Sequence, residues 1–146
     1  MDKFDRFILT KLQKDARRSF KKIADEINVS EATVSLRVKK LQESGIIKGF
    51  KAILDPSLVG KSTTAIMMLK ADPKLYNRVL QNLLRMSEVC EIYDVTGPYY
   101  TIIKIRAKNT EELTKIIDKI GSINGINGTE TSVVLRTIRE DASIIL

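Results

Sequence analysis

The side chains best suited to chemistry lie between Ser30 and Lys40, on the polar side of a predicted helix. They combine hydroxyls, one carboxylate, one leucine and several cations. Hydroxyls and carboxylates can hydrogen-bond to the edges of bases, a leucine can contact a thymine methyl, and cations can neutralise phosphates. The pattern therefore indicates recognition of a nucleic acid rather than a reaction on a substrate.

Position along such a helix predicts what each side chain meets, because its N-terminal part reaches base edges and its C-terminal part meets phosphates. The residues expected at base edges are Glu31, Thr33, Ser35 and Leu36. Those expected at phosphates are Arg37, Lys39 and Lys40. The predicted DNA-binding set is completed by Lys21, Lys22 and Ser30. Taken alone, the same pattern also fits a plain helical hairpin with a solvated charged face.

Two short helices joined by a tight turn at Asn28 and Val29 are predicted to position these side chains. Ser30 occupies the place of an N-cap, and Gly45 falls just past the end of the second helix. The helical spacing of apolar residues predicts the buried stripes. They are Ile23, Ala24, Ile27, Val34, Val38 and Leu41.

The rest of the first half completes a helical head. Residues 4–14 are predicted to form a preceding helix, so the head has three helices of winged-helix-like type. The segment Ile46–Leu54 is predicted to be extended, as one arm of a β wing. Gly60 marks the boundary, which gives a helix-turn-helix domain over 1–60 and a second domain over 61–146.

The predicted elements of the second half follow the order βαββαβ, so the chain as a whole is predicted to belong to the α+β class. Predicted strands cover 62–70, 90–95, 100–107 and 129–139; predicted helices cover 73–87 and a segment that begins near Thr110. This order is that of the ferredoxin-like split motif, which packs two helices on one face of a sheet. The other face must be covered by a partner, which predicts oligomers.

Composition narrows the class of protein. The 146 residues carry a net charge of +7. Residues 1–60 contain 13 basic and 8 acidic residues, and residues 61–146 contain 12 basic and 10 acidic residues, so most of the excess positive charge lies on the head. A basic head favours an anionic partner. There is no histidine and a single cysteine, Cys90, which we expect to be buried. Without a histidine, neither a metal site nor general-base catalysis is expected, so no enzyme and no cofactor are predicted. No apolar run reaches membrane-spanning length and MDKFDRFIL is not typical of a signal peptide, so a cytoplasmic location is predicted.

Several motifs in order resemble one known family over nearly the whole chain. The opening DKFDRFILTKLQKDAR is similar to that family's first helix, through Asp2, Asp5, Ile8, Leu9, Leu12, Asp15 and Arg17. VSEATVSLRVKKLQESGIIKGF is similar to its recognition helix and wing, and VTGPYYTIIKIRAKNTEEL and IGSINGINGTET to its effector-domain loops. The chain thus resembles the leucine-responsive and asparagine regulators (Lrp/AsnC, or feast/famine regulators), in an archaeal-like form.

This resemblance implies a transcriptional regulator that binds double-stranded DNA as a homodimer or an octamer under control of a small-molecule effector such as an amino acid. It implies an effector site between protomers, made by a turn and a glycine-rich segment. Its residues here would be Gly97, Pro98, Tyr99, Tyr100, Gly128, Thr129 and Thr131. The family's turn commonly reads G-D-x-D, whereas this one reads Gly97-Pro98-Tyr99-Tyr100. Because the turn has no acid, we expect it to recognise an ammonium group poorly.

Two alternatives remain open at the level of sequence. The second domain could sense a small molecule and regulate a metabolic enzyme by protein contact, with the basic head as the contact surface. RNA binding is the other, because RNA-recognition motifs share the βαββαβ order and stack bases on aromatic side chains of their central strands. The predicted strand TIIKIRA has no such aromatic residue.

Overall fold

The computed structural model describes residues 1–146, which divide into two units. The first contains Met1–Ile53 and also Arg139–Leu146, and the second contains Leu54–Ile138. The final segment is held in the first unit by the side chain of Gln13. Its amide donates to the carbonyl of Ile144 at 3.0 Å and accepts from the N–H of Ile144 at 2.7 Å. The predicted limits 1–60 and 61–146 do not include this return of the chain.

Three helices form the first unit: α1 at Lys3–Lys14, α2 at Phe20–Glu26 and α3 at Glu31–Glu43. Each begins where a polar side chain caps it. Ser30 caps α3, since its hydroxyl accepts from the N–H of Thr33 at 3.1 Å, as predicted. Gly45 follows the C-cap residue Ser44 with a φ of +74°, which confirms its predicted place. Glycine adopts this left-handed backbone without the steric cost that a Cβ brings.

The turn between α2 and α3 brings the chain round at Asn28, whose φ is +53°. Asparagine tolerates this backbone better than most residues. Most residues of the predicted stripes are then buried against each other and against α1, but Ile27, at the end of α2, is only half-buried. The cluster consists of Ile8, Leu12, Ile23, Ala24, Val34 and Val38. This packing fixes the angle at which α3 presents its outer face.

The β wing predicted over Ile46–Leu54 is wrong. No part of this segment pairs as a strand, and the side chains of Phe50 and Ile53 are exposed. One hydrogen bond, from the N–H of Ile47 to the carbonyl of Leu41 at 3.0 Å, ties its start to α3. A β ladder needs two strands side by side, and the first unit offers no strand with which this segment could pair.

The second unit has the predicted βαββαβ order. Its elements are β1 at Thr63–Ala71, α4 at Tyr76–Leu84, β2 at Val89–Asp94, β3 at Thr101–Ala107, α5 at Thr110–Gly121 and β4 at Ile126–Val133. The sheet order is β2-β3-β1-β4, and every neighbouring pair is antiparallel. The combination of a helix-turn-helix head and a ferredoxin-like unit confirms the predicted α+β class.

Some limits differ from the prediction. The last strand begins at Ile126 rather than 129 and ends at Val133 rather than 139, so the glycine-rich loop is shorter than expected. Within it Gly125 has a φ of +105°, and an added Cβ would lie 2.7 Å from Cβ of Leu75. Cys90 is exposed, not buried, because it lies on the edge strand β2.

The two faces of the sheet have different surroundings. One face is buried under α4 and α5, with Met67, Leu69, Ile103 and Ile105 at its centre. No helix packs on the other face, which we call the open face. By register it carries Ile66, Met68, Tyr93, Ile102, Lys104 and Glu130.

Candidate nucleic-acid interface and effector site

The outer face of α3 presents most of the side chains that the sequence assigns to DNA. Glu31, Ser35, Lys39 and Lys40 are exposed, and Leu36 keeps 54% of its surface accessible. Lys39 has a weak ion partner, Glu43, at 3.8 Å. These residues lie opposite the buried stripe of the same helix, so a surface brought against α3 meets them together.

Arg37 differs from the other predicted cations, because the structure places it against α1. Its guanidinium donates to the carboxylates of Asp2 and Asp5, each at 2.8 Å, and lies 5.4 Å from the ring centroid of Phe4. The hydrogen bonds to Asp5 and then Asp2 raise the pKa of Arg37 above its usual value. The sequence interpretation of Arg37 as a free phosphate contact missed these partners, more than thirty residues away.

Ser30 and Thr33 also have partners within the head. The hydroxyl of Ser30 caps α3 and lies 2.8 Å from the hydroxyl of Thr33. Lys21 and Lys22 are exposed in the first turn of α2. Lys21 and Lys22 are therefore available at the surface for a partner, whereas the Ser30 hydroxyl caps α3.

An open groove of about 500 Å³ runs beside α3. Its lining combines apolar and cationic side chains: Met1, Asp5, Thr33, Leu36, Arg37, Lys40, Leu41, Ser44 and Ile46. Met1 and Ile46 were absent from the predicted site, because they come from other parts of the head.

In the second unit, the turn after β2 folds onto the end of β1. The N–H of Tyr100 donates to the carbonyl of Leu69 at 2.9 Å, and the N–H of Val95 donates to the carbonyl of Tyr100 at 3.1 Å. Gly97 has a φ of +115°, which suits a glycine at this turn. The predicted turn residues Gly97–Tyr100 therefore lie beside the end of β1.

Tyr99 extends from this turn across β1 to the last strand. Its hydroxyl donates to the carboxylate of Glu130, and the ammonium of Lys70 lies 5.3 Å from its ring centroid. The hydrogen bond to Glu130 raises the pKa of Tyr99. Glu130 and Lys70 were not predicted as site residues, although Glu130 lies between two residues that were.

Tyr100 has different neighbours. Its ring lies 5.8 Å from that of Tyr76 at the start of α4, and the Tyr76 hydroxyl hydrogen-bonds to Asp94 and Thr101. Burial, followed by the hydrogen bond to Asp94, raises the pKa of Tyr76. The two adjacent tyrosines thus belong to separate clusters.

The strand register places the predicted effector residues of β4 on two different faces of the sheet. Thr129 pairs with Leu69 and Thr131 with Met67, so both threonines belong to the face that α4 and α5 cover. Gly128 pairs with Lys70, on the open face, where Glu130 also lies. The structure therefore brings Tyr99 to Glu130, on the face that also carries Gly128, rather than to the two threonine hydroxyls.

The comparisons with known proteins identify both units. The AsnC-type helix-turn-helix domain matches residues 1–42, and the Lrp/AsnC ligand binding domain matches residues 64–144. The chain belongs to the Lrp/AsnC family. Like its relatives, this Lrp/AsnC protein is a helix-turn-helix transcriptional regulator, not an enzyme.

Curated and solved relatives match this Lrp/AsnC regulator over almost its full length. The regulator FL11 of Pyrococcus abyssi is 40% identical over 144 residues, which cover 99% of this chain and 95% of FL11. Ptr1 of Methanocaldococcus jannaschii is 36% identical over 145 residues, 99% of this chain and 98% of Ptr1. The solved structure of Escherichia coli AsnC has a TM-score of 0.93 at 31% identity and covers 100% of this chain and 99% of AsnC. None of the helices is both long and apolar enough to cross a membrane.

Proposed function

We propose that this regulator reads its operator by laying α3 in the major groove. Glu31, Thr33, Ser35 and Leu36 face base edges, and Lys39 and Lys40 face phosphates. The observation that carries the proposal is the exposure of Glu31, Ser35, Leu36, Lys39 and Lys40 on this face of α3, opposite the stripe that fixes the helix to the head. A major groove about 12 Å wide admits such a helix.

Salt dependence tests the phosphate contacts. Lys39→Ala should weaken binding to all sequences alike and reduce the slope of log affinity against log salt by about 0.9, the value for one lost phosphate contact. The matched control is Lys115→Ala on α5. Lys115 and Glu111 form an exposed ion pair at 3.2 Å, and Lys39 and Glu43 form one at 3.8 Å, each pair four residues apart on a helix.

Sequence preference tests the base contacts. Ser35→Ala and Leu36→Ala should change the ranking of sites in a binding selection, because base contacts carry sequence information. An unchanged ranking in both variants, or full operator binding by a protein with Lys21, Lys22, Lys39 and Lys40 all replaced by alanine, would contradict the placement of α3.

The regulator also acts as a homodimer through the open face of its sheet. Tyr93 is 54% exposed there, beside Ile66, Met68 and Ile102, which are only half-buried. A second copy on this face would remove these apolar side chains from water. Two heads would then meet half-sites about 34–36 Å apart, or a multiple of that distance.

A small-molecule effector binds at the second site, where the turn Gly97–Tyr100 meets β4 near Gly128. The support is the direct approach of these two segments at the end of β1, which the hydrogen bond of Tyr99 to Glu130 spans. Thermal unfolding of the full-length protein with candidate ligands tests this proposal, because a ligand that binds only the folded state raises its stability. Ligands that act there should lose their effect in Gly97→Val.

A further inference from the structure

We propose that the outer face of α4 binds the phosphate backbone of DNA that flanks the operator, as a DNA contact outside the head. Its basis is a set of exposed cations on this helix that no acid of the protein neutralises. The proposal adds to the contacts of α3 and does not depend on which bases α3 reads, because a phosphate contact carries no sequence information.

The cations of α4 share one side of the helix. Lys74 lies in the turn that leads into α4, Arg78 in its first turn and Arg85 at its C-cap, and all three are exposed. Residues four and seven positions apart on a helix point in nearly the same direction. Gln81, which is also exposed, lies on this side between the two arginines. We call these four residues the basic row, in which Arg78 and Arg85 are about 10 Å apart along the helix axis at 1.5 Å per residue.

The opposite side of α4 fixes the direction in which the basic row points. Val79 and Leu83 are fully buried in the core between α4 and the sheet. A nine-residue helix anchored in this way cannot rotate about its axis without exposing that core. The basic row is therefore a fixed feature of the surface of the second unit.

No acid of the protein offsets this charge. Residues 73–87 contain no aspartate or glutamate, and none of the three cations forms an ion pair. The acids at the two ends are engaged elsewhere. The carboxylate of Asp72 accepts from the backbone N–H of Lys74 at 2.8 Å, and that of Glu88 accepts from the hydroxyl of Ser87 at 3.3 Å. The basic row thus presents positive charge to solvent without an internal counter-ion.

The other helix of the unit, α5, has a different surface. It carries the cations Lys115 and Lys119 but also three acids, Glu111, Glu112 and Asp118. Lys115 pairs with Glu111 at 3.2 Å. The charges of α5 therefore balance one another, which makes this helix a control for α4.

The chemistry of the basic row fits a nucleic-acid backbone better than a protein surface. The row consists of cations and an amide, and the exposed Leu84 lies about a third of a turn away from it. Protein–protein interfaces are built around an apolar core, whereas interfaces with DNA are more polar and more positive. A guanidinium can also donate two hydrogen bonds to one phosphate. DNA that the heads already hold has a high local concentration, so a few additional phosphate contacts strengthen binding.

Binding of the full-length protein to two duplexes tests the proposal. The short duplex, of about 30 base pairs, contains a site from the binding selection with two half-sites one turn apart, and the long one contains the same site within about 120 base pairs. On the long duplex, Arg78→Gln combined with Arg85→Gln should reduce the slope of log affinity against log salt by about 1.8, which is 0.9 for each lost contact. Counted from a reference of about 1 M salt, affinity for the long duplex should fall about sixty-fold at about 0.1 M. Affinity for the short duplex should equal that of the wild type.

Two further double variants separate a phosphate contact from a general effect of charge. Lys115→Gln combined with Lys119→Gln removes the same charge from α5 and should bind both duplexes as the wild type does. Arg78→Lys combined with Arg85→Lys keeps the charge and should retain most of the salt slope on the long duplex.

Photochemical crosslinking provides a readout on a protein whose basic row keeps its charges. With p-benzoylphenylalanine in place of Gln81, the protein should crosslink to the flanks of the long duplex. The matched control has the same amino acid in place of Thr114, which is exposed on α5, and should give no such crosslink.

A wild-type salt slope in the α4 glutamine variant, an equal fall in the α5 variant, equal losses on the two duplexes, or no crosslink from position 81 would overturn the proposal. Smaller assemblies of the α4 variant alone in light scattering would place the basic row between copies of the chain and would also overturn it. The reading of bases by α3 is tested separately, because an unchanged site ranking in Ser35→Ala and Leu36→Ala would refute that reading and leave the slope difference between the duplexes intact.

Discussion

Ser30 offers the sharpest test of how the recognition helix is built, because it caps α3 and was also predicted to contact DNA. Its hydroxyl accepts from the N–H of Thr33 at 3.1 Å, so Ser30→Ala leaves that donor at the start of α3 without its partner. Loss of a serine N-cap lowers the free energy of unfolding by about 1 kcal/mol, and replacement by glycine by only a few tenths. With a urea m-value of about 1–2 kcal/mol/M, the unfolding midpoint of the head should fall by about 0.5–1 M in Ser30→Ala.

The three substitutions at this position separate a cap from a DNA contact. Ser30→Gly should retain most of the stability and, if the cap is the only role of Ser30, the operator affinity as well. Ser30→Asp should retain the cap, but its negative charge near phosphates should weaken binding to every sequence.

Urea denaturation followed by helical circular dichroism, and operator binding on the same samples, provide the two readouts. Ser35→Ala is the control for the urea measurement alone, because Ser35 is exposed on the same helix and caps nothing, whereas its hydroxyl faces base edges in the proposed complex. An unfolding midpoint equal to the wild type in Ser30→Ala, together with operator affinity lost in both Ser30→Ala and Ser30→Gly, would show that the cap reasoning is wrong and that the hydroxyl binds DNA.

Four other outcomes follow from the structure. Gly125→Ala should destabilise the second unit by about 1–3 kcal/mol in chemical denaturation, because the added Cβ meets Leu75 in a left-handed backbone; wild-type stability would exclude the strain. Met68→Glu should yield monomers in light scattering, whereas Leu84→Glu, on the exposed side of α4, should not; an intact dimer in both variants would place the interface elsewhere. Hydrogen bonds from Lys11 and then Arg18 lower the pKa of Glu26, so they stabilise the head at pH values above 4.5, and this stabilisation should be lost as the pH falls through the lowered pKa. Glu26→Gln should flatten that part of the thermal stability measured against pH, and a profile equal to that of the wild type would contradict a stabilising role for Glu26. Arg37→Ala should lower operator affinity without reducing the salt slope, because Arg37 holds α3 against Asp2 and Asp5; a slope reduced by about one phosphate would make it a DNA contact instead.

The features that the sequence predicted well are local. The spacing of Val34, Val38 and Leu41 defines the buried stripe of α3, and the positions of Ser30 and Gly45 define its ends. These depend on helical periodicity and on capping chemistry within a few residues. The order of strands and helices in the second unit was also predictable, since each element has its own period.

The features that the sequence did not predict depend on residues far apart in the chain. Arg37 pairs with Asp2 and Asp5, and Tyr99 with Glu130, at separations of about thirty residues, which no local pattern encodes. Which residues of β4 lie on each face of the sheet could be assigned only from the register with β1, because a shift of one residue moves every side chain to the opposite face. The predicted wing failed for a related reason, since strand propensity alone does not supply a partner strand.

The return of the C-terminal segment to the first unit makes the effector unit, in topological terms, an insertion within the DNA-binding unit. Both chain ends belong to the head, and residues Leu54–Ile138 leave it and come back. An exchange of effector units between two regulators therefore requires two junctions, near 54 and near 138, rather than a single one near 60. A chimaera with a single junction would take its C-terminal segment from the other regulator, so a foreign residue would stand in place of Ile144 beside Gln13. A tag fused after Leu146 would be attached to the DNA-binding unit rather than to the effector unit.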